Sequence, residues 1–124
     1  MLRLSKIKGV KGKLRTPSDK SISHRAVLFS SLAKGESYVK EWLQSEDTLA
    51  TLNMLLSLGV EIQKEGNNLR VVGRDYSFLE PSDVLDAKNS GTTARLMMGV
   101  LATQSFFSVI TGDESLRERP MLRV

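Results

Sequence analysis

Residues 84–102 have the sequence VLDAKNSGTTARLMMGVLA, whose pattern changes partway along. The short apolar run from Val84 to Ala87 is typical of a strand, and apolar residues at helical spacing follow from Gly91 to Ala102. The polar residues between the two runs are of the types that cap helices. The stretch therefore predicts a strand, a turn and a helix, which is the junction from which α/β domains are built.

A second junction of this kind lies near the start of the sequence. Thr16-Pro17-Ser18-Asp19-Lys20-Ser21 precedes a predicted helix over residues 20–34, which Gly35 is expected to end. The apolar stripe of this helix, which we expect to face the core, consists of Ile22, Ala26, Phe29 and Ala33. Both junctions place hydroxyl residues and a lysine at a helix N-terminus.

Turn and capping residues predict the remaining elements. The predicted elements are strands at residues 2–8, 10–15, 36–42 and 106–111, a helix from Ser45 to Gly59, a hairpin over residues 60–72 with its turn at Gly66-Asn67-Asn68, and a short helix that begins near Asp113 and ends before Pro120. Trp42, Met97 and Met98 are most simply core residues. Helices and strands thus alternate around one inserted hairpin, so we predict an α/β or α+β domain.

Length, charge and composition limit the classes of protein. The chain has 124 residues, a net charge of +4, and 40% hydrophobic and 26% charged residues, as a globular domain does. The first fifteen residues contain six basic side chains and no acidic or aromatic one. General nucleic-acid binding is therefore not expected, because such surfaces interleave aromatic and basic groups. No membrane helix is expected either, since the longest uncharged run, residues 96–112, is too short for a bilayer span.

Cysteine is absent, which excludes disulfides, thiolate metal sites and a cysteine nucleophile. The first residues alternate between apolar and basic side chains and lack the continuous apolar segment of a secretory signal, so a cytoplasmic location is expected. The acidic residues show no metal-ligand spacing. We expect His24, the single histidine, to pair within the fold rather than to act in catalysis.

The first helix start is a candidate anion site, because exposed N–H groups and the helix dipole favour phosphate or carboxylate there. Lys20 supplies a point charge, Ser21 a hydroxyl donor and Arg25 a guanidinium fork. A capped surface helix with solvated charges explains the same residues. A P-loop is excluded, since Lys20-Ser21 would need glycines at positions that hold Leu14 and Asp19.

The second candidate is the segment Asn89-Ser90-Gly91-Thr92-Thr93-Ala94-Arg95. A glycine at a helix start lets a ligand approach the backbone where a Cβ would obstruct it. A plain capping turn with Asn89 or Ser90 as the N-cap fits the sequence equally well. Arg95, one turn into the helix, is suited either to an anion or to a nearby carboxylate.

The third candidate is the segment GDESLRERPM at residues 112–121. Its proline fixes the local geometry around Arg119. A charge run of this kind is usually a solvated face, and we expect Arg117 to lie on one.

Taken together, the three segments resemble the motifs of one family, the 5-enolpyruvylshikimate-3-phosphate synthases. The resemblance rests on residues 17–26 (PSDKSISHRA), 89–96 (NSGTTARL) and 112–116 (GDESL) with 119–121 (RPM), in the family's order and with similar separations. It covers essentially the whole chain. The family's enzymes are several times longer, so the chain resembles the beginning of one.

This resemblance implies a fold of two similar lobes, each built from βαβαββ units, with substrates bound in the cleft between them. Residues 1–15 would form a strand segment that belongs with the second lobe. Residues 16–124 would form the N-terminal part of the first, shikimate-3-phosphate-binding lobe. The implied reaction is transfer of the enolpyruvyl group of phosphoenolpyruvate to the 5-hydroxyl of shikimate 3-phosphate, in chorismate and aromatic amino-acid biosynthesis. No metal or organic cofactor is implied.

The resemblance also assigns residues to the two substrates. The residues implied for shikimate 3-phosphate are Ser21 and Arg25, and Lys20 would lie between the two substrates. Those implied for phosphoenolpyruvate are Gly91 and Arg119. Weaker substrate-binding candidates are Asn89 and Thr92.

In the family, the acid and base come from the second lobe, and no residue of this chain can be matched to them. The 124 residues alone are therefore expected to be inactive. Two alternatives stay open. One is the related enolpyruvyl transferase acting on a UDP-linked amino sugar, which has Lys-Asn where this chain has Lys20-Ser21 and commonly a cysteine acid. The other is a non-catalytic anion-binding or interaction module.

Overall fold

A computed structural model describes residues 2–122 and 124, and these contain four helices and five strands. The helices are α1 (Lys20–Leu32), α2 (Glu46–Ser57), α3 (Gly91–Leu101) and α4 (Glu114–Arg117). The strands are β1 (Lys34–Val39), β2 (Glu61–Glu65), β3 (Asn68–Arg74), β4 (Leu85–Asp86) and β5 (Ile110–Thr111). The predicted mixture of helices and strands is confirmed. The order α1-β1-α2-β2-β3 is that of a βαβαββ unit without its first strand.

Side-chain caps fix the start of each long helix. Asp19 accepts a hydrogen bond from the Ile22 N–H at 2.7 Å and begins α1, and Ser45 forms a capping box at the start of α2. At α3 the N-cap is Ser90, whose Oγ accepts from the Thr93 N–H at 3.1 Å. Of the two residues that the sequence left open at this position, Ser90 is therefore the cap.

Three strands form an antiparallel sheet in the order β1-β3-β2. Glu65 pairs with Asn68 across the two residues Gly66 and Asn67, which confirms the predicted hairpin. A separate parallel pair joins β4 to β5, with α3 as the crossover between them. Because β4 and β5 are parallel, their carboxyl ends lie at the same edge.

The three long helices pack one against the next, and α1 lies against the antiparallel sheet. Helix α1 lies against β3 and β1, α2 packs on α1, and α3 packs on α2. Trp42 and Met97 are buried, as predicted, whereas Met98 is half-buried. No helix in residues 2–122 has both the length and the apolar character to cross a membrane.

The predicted buried stripe of α1 is wrong. Ile22 and Phe29 are each 60% exposed, and α1 instead buries Ser23, His24, Val27, Leu28 and Ser31. The buried serines are satisfied within the fold: Ser31 Oγ donates to the Val27 carbonyl at 2.7 Å. Because the hydroxyls of these serines have internal partners, the serines can be buried, an outcome that a ranking by hydrophobicity does not predict.

Two predicted strand regions also differ. Residues 2–8 and 10–15 form no strand, and their side chains are exposed. A strand alternation is stable only where another strand pairs with it, and no described residue does. Only Ile110–Thr111 of the predicted strand over residues 106–111 pairs, because its partner β4 has two residues. Met1 of the predicted strand segment and Arg123 of the segment 16–124 lie outside the described residues.

Candidate functional site

The ends of β4 and β5 bring two of the sequence-predicted segments side by side. The Ala87 N–H donates to the Thr111 carbonyl and the Asp113 N–H to the Lys88 carbonyl, each at 2.9 Å. A Cβ on Gly112 would lie 2.6 Å from the Lys88 carbonyl oxygen, so this close approach requires glycine. The loop that starts α3 and the loop that starts α4 are therefore tied together by backbone contacts.

Asn89 connects these two loops through its amide. Its Nδ2 donates to Asp113 Oδ2 at 2.6 Å, and its Oδ1 accepts from Arg119 Nη2 at 2.8 Å. Asp113 also accepts from the Leu116 N–H, and these two hydrogen bonds, that from Asn89 foremost, lower the pKa of the Asp113 carboxyl below its usual value. The guanidinium of Arg119 is thus oriented by Asn89 rather than free in solvent.

Two guanidinium groups converge on Gly91. A Cβ built on Gly91 would lie 2.8 Å from Arg95 Nη1 and 3.3 Å from Arg119 Nη1. Arg95 Nη2 donates to the Pro120 carbonyl at 3.3 Å, while its buried Nε has no partner among the described residues. Two cationic forks beside a bare backbone at a helix N-terminus form a site suited to a phosphate or carboxylate.

The start of α1 carries the other group of predicted residues. Lys20 Nζ forms an ion pair with Asp47 Oδ2 at 2.7 Å, with the two side chains 52% and 30% exposed. Ser21 and Arg25 are exposed, and no side-chain hydrogen bond to a described residue fixes either of them. Thr92, on the first turn of α3, is exposed in the same way.

Asp47 links the start of α1 to the start of α3. Its carboxylate holds Lys20, and its backbone carbonyl accepts from Thr93 Oγ1 at 3.2 Å. The structure therefore brings Asn89, Gly91 and Arg119 into direct proximity and connects Lys20 to them through the first turn of α2. Ser21, Arg25 and Thr92 lie on the same two helix starts without such contacts.

His24 lies under this surface, fully buried, with Nδ1 at 2.7 Å from Thr51 Oγ1. Burial is the main cause that lowers the pKa of His24 below its ordinary value of 6.5, Lys20 and Arg25 lower it further, and Asp47 opposes them. The imidazole is therefore neutral at neutral pH, and it pairs within the core.

Comparison with known proteins identifies the family. The sequence pattern of EPSP synthase (3-phosphoshikimate 1-carboxyvinyltransferase) matches residues 4–124. The chain belongs to the EPSP synthase family. It is 60% identical over 124 residues to the 3-phosphoshikimate 1-carboxyvinyltransferase of Aquifex aeolicus, covering all of this chain and 29% of that protein. The corresponding protein of Petrotoga mobilis is 53% identical over 126 residues, covering 99% of this chain and again 29% of the relative.

A solved EPSP synthase from Acinetobacter baumannii matches the fold with a TM-score of 0.85 and 41% identity, over 90% of this chain and 26% of that one. The family resemblance that rests on the three motifs and the predicted fold class are thereby confirmed. The chain spans about 29% of the length of the curated relatives it matches.

Sequence reasoning missed Asp47 and gave Arg95 no definite place in this part of the EPSP synthase fold. Asp47 was visible only as an acid in the first turn of a helix, which is common, and nothing in its spacing points to Lys20, 27 residues away. Arg95 carried a better signal, because it follows Gly91 by one helical turn and so lies on the same face.

Proposed function

We propose that this chain is the N-terminal part of a 3-phosphoshikimate 1-carboxyvinyltransferase, which transfers the enolpyruvyl group of phosphoenolpyruvate to the 5-hydroxyl of shikimate 3-phosphate in chorismate and aromatic amino-acid biosynthesis. The observation that carries the proposal is the convergence of Arg95 and Arg119 on Gly91, next to a helix start, in a member of this family. A cytoplasmic location and the absence of a metal or organic cofactor belong to the same proposal.

Each predicted residue has a role that its position allows. Ser21 and Arg25 extend from the first turns of α1, where they are free to reach shikimate 3-phosphate. Gly91 and Arg119 would receive phosphoenolpyruvate, with Asn89 orienting the arginine.

The remaining predicted residues have supporting roles. Lys20, held toward the start of α3 by its ion pair with Asp47, would lie between both substrates. Thr92 would contribute a hydroxyl beside Gly91. Residues 2–15, which are exposed here, would pair with the second lobe.

Positive charge is what this half of the site contributes to the chemistry. Both substrates are polyanions, so their mutual repulsion opposes the approach of the 5-hydroxyl to the C2 carbon of phosphoenolpyruvate. Fixed cations lower that repulsion and hold the reacting atoms together, and they also stabilise phosphate as it leaves. Arg119 is pre-oriented for this task by Asn89, whereas Arg25 would be ordered by the ligand itself.

The reaction also requires a base for the 5-hydroxyl and an acid that protonates the methylene carbon. We assign neither to this chain and place both in the second lobe. The purified 124 residues, free of host enzyme, should therefore release no phosphate from the two substrates. Measurable release of phosphate would contradict the placement of the acid and the base in the second lobe.

The direct test is a titration of the 15N-labelled chain with shikimate 3-phosphate, followed by backbone amide shifts. We expect the shifts to cluster at Lys20 to Arg25. Arg25→Gln should weaken binding by tenfold to a hundredfold, because a hydrogen bond to a charged group contributes about 1.5–3 kcal/mol. Arg117→Gln, which removes an exposed arginine outside the site, is the matched control and should leave the affinity unchanged.

Other outcomes would favour the other classes. Shifts spread evenly over the chain, or equal losses in Arg25→Gln and Arg117→Gln, would indicate diffuse charge attraction. No shifts at saturating ligand would favour a non-catalytic interaction module. Binding of a UDP-linked amino sugar in preference to shikimate 3-phosphate would favour the related transferase, an outcome that Lys20-Ser21 and the absence of cysteine oppose.

A further inference from the structure

A continuous chain of hydrogen bonds runs through the core beneath the candidate site. His24 Nδ1 lies 2.7 Å from Thr51 Oγ1, which lies 2.7 Å from Thr93 Oγ1, which lies 2.7 Å from Ser90 Oγ. Three of these residues are fully buried and Ser90 is 2% exposed. His24 belongs to α1, Thr51 to α2, and Thr93 and Ser90 to the start of α3. The hydrogen-bond chain therefore connects α1 to α2 and α2 to the start of α3.

These contacts constrain the three helices more narrowly than apolar packing alone would. Hydrogen bonds require heavy-atom distances within a few tenths of an ångström, and a buried hydroxyl left without a partner costs free energy. A shift of α1 relative to α2 would break the His24–Thr51 hydrogen bond, and a shift of α3 relative to α2 would break the Thr51–Thr93 hydrogen bond. All four residues of this hydrogen-bond chain are therefore paired at only one relative placement of the three helices.

Both ends of the chain lie next to the proposed substrate residues. His24 precedes Arg25 and follows Lys20 by one helical turn, while Ser90 stands between Asn89 and Gly91 and caps α3. Thr93 has a second acceptor in the carbonyl of Asp47, the residue that pairs with Lys20. A substitution in this hydrogen-bond chain thus lies next to both proposed substrate sites, although none of the four residues needs to touch a ligand.

We propose that His24, Thr51, Thr93 and Ser90 are positioning residues that hold the starts of α1 and α3 in the one relative placement at which both substrates can be bound. The part about substrates rests on the proposed function, whereas the part about helix placement does not. Thr51 is the central member, because it belongs to neither helix start and links the two.

The hydrogen-bond pattern also favours one tautomer of the neutral imidazole of His24. Where Thr93 donates its single proton to Ser90 Oγ or to the Asp47 carbonyl, Thr51 donates to Thr93 and His24 Nδ1–H donates to Thr51. The opposite direction would leave an N–H on Nε2, which has no partner among the described residues, and a buried orphan N–H is rarer than a buried orphan acceptor. We therefore expect the neutral ring to carry its proton on Nδ1.

Thr51→Val tests the proposal, because it removes the hydroxyl and keeps the shape. In the unliganded chain it should shift the backbone amide resonances of Gly91 and Thr92, and it should change the 15N signature of the His24 ring away from the Nδ1–H form. The affinity for shikimate 3-phosphate should fall threefold to tenfold, as for coupled neighbours. Thr51→Ser, which restores the hydroxyl, should restore all three readouts.

Ser31→Ala is the matched control, since Ser31 is a fully buried α1 hydroxyl that bonds only within its own helix. It should leave the Gly91 and Thr92 resonances and the ligand affinity unchanged. If Thr51→Val folds and leaves Gly91 and Thr92 unshifted, or if Ser31→Ala shifts them equally, the proposal is overturned. If Thr51→Val does not fold, Thr51→Ser decides, because that variant should fold with the Gly91 and Thr92 resonances and the affinity of the original chain, and a loss of either overturns the proposal. Shifts at Gly91 in a chain that binds no shikimate 3-phosphate would support the positioning role and count against the proposed function alone.

Discussion

At the start of α1, Lys20 has one ion-pair partner and Ser21 and Arg25 extend into solvent, whereas at the start of α3 both guanidinium groups next to Gly91 are held by hydrogen bonds, Arg119 to Asn89 and Arg95 to the Pro120 carbonyl. The two helix starts carry similar residue types but differ in how firmly the cations are placed. Helix α3 gains its order from β4 and β5, whose ends bring α4 and Arg119 against it. At the start of α1, Trp42 Nε1 and the Leu43 N–H donate to Ser23, and these contacts hold the helix but not the side chains of Ser21 and Arg25. One start is therefore preorganised for an anion, and the other depends on its ligand for order.

The largest expected effect comes from placing a methyl group in the ordered start. In Gly91→Ala the new Cβ would come within 2.8 Å of Arg95 and 3.3 Å of Arg119, both at the ends of flexible side chains. The fold should tolerate the change, but both guanidinium groups must move. In the full-length protein we expect the affinity for phosphoenolpyruvate, or an analogue of similar size, to fall on the order of tenfold or more, with a much smaller loss for shikimate 3-phosphate.

The control for this substitution is Gly99→Ala, also in α3, where a Cβ would meet nothing within 4 Å. It should leave both affinities unchanged and stabilise the helix slightly, by about 0.5–1 kcal/mol. Isothermal titration of each ligand separates the two effects. Equal losses for both ligands in Gly91→Ala would show that the two helix starts do not divide the substrates between them.

An effect of intermediate size is expected from pH, through His24 between the two starts. Because burial lowers the pKa of His24 in the folded chain, the unfolded chain binds a proton that the folded chain does not. The free energy of unfolding should therefore fall as the pH drops below about 6.5, with a slope of at most about 1.4 kcal/mol per pH unit for one proton.

Urea unfolding between pH 5 and pH 7.5 measures this slope. Asp86 and Asp113 do not confuse it, since their pKa values are lowered from 3.8 and their contribution to stability is lost only in more acid solution. His24→Gln should flatten the curve over this range. A curve that keeps its slope in His24→Gln would assign the effect to another group.

Sequence alone predicts those parts of the molecule that short-range chemistry determines. The cap at Ser45 and the Gly66-Asn67 turn are predictable because each satisfies its own neighbours. The buried face of α1 was not visible, since its serines are satisfied within the fold and its exposed Ile22 and Phe29 resemble core residues.

For the candidate site, the grouping of Gly91 with Arg119 followed from a family resemblance and was not derivable from spacing, and the contact of Asn89 with Arg119 came only from the structure. The Lys20–Asp47 contact depends on how α2 packs on α1, and that packing is a tertiary property. Residues 2–15 also show that sequence does not determine tertiary contacts. Their alternation of apolar and basic residues predicts a strand, but a strand forms only when another strand pairs with it.

The smallest expected effect lies at the loosely held start. Lys20→Met removes an ion pair whose members are 52% and 30% exposed, so it should change the free energy of unfolding by less than about 1 kcal/mol, and less still at high salt. Arg15→Met, which removes the more exposed pair with Glu41, is the comparison and should have no measurable effect. A salt-independent loss of several kcal/mol in Lys20→Met would mean that the start of α1 is as firmly built as that of α3.

The strand order β1-β3-β2 has a consequence for the sequence of events in folding. Strands β2 and β3 are joined by a two-residue turn, and hairpins of this kind close within about 1–10 microseconds. Strand β1 pairs with the opposite edge of β3 only after the intervening α2 and hairpin have been looped back, which is a slower closure. Because α1 runs almost directly into β1, it docks with that second step. We therefore expect Lys20, Ser21 and Arg25 to reach their native positions late in folding, after the β2–β3 hairpin has formed.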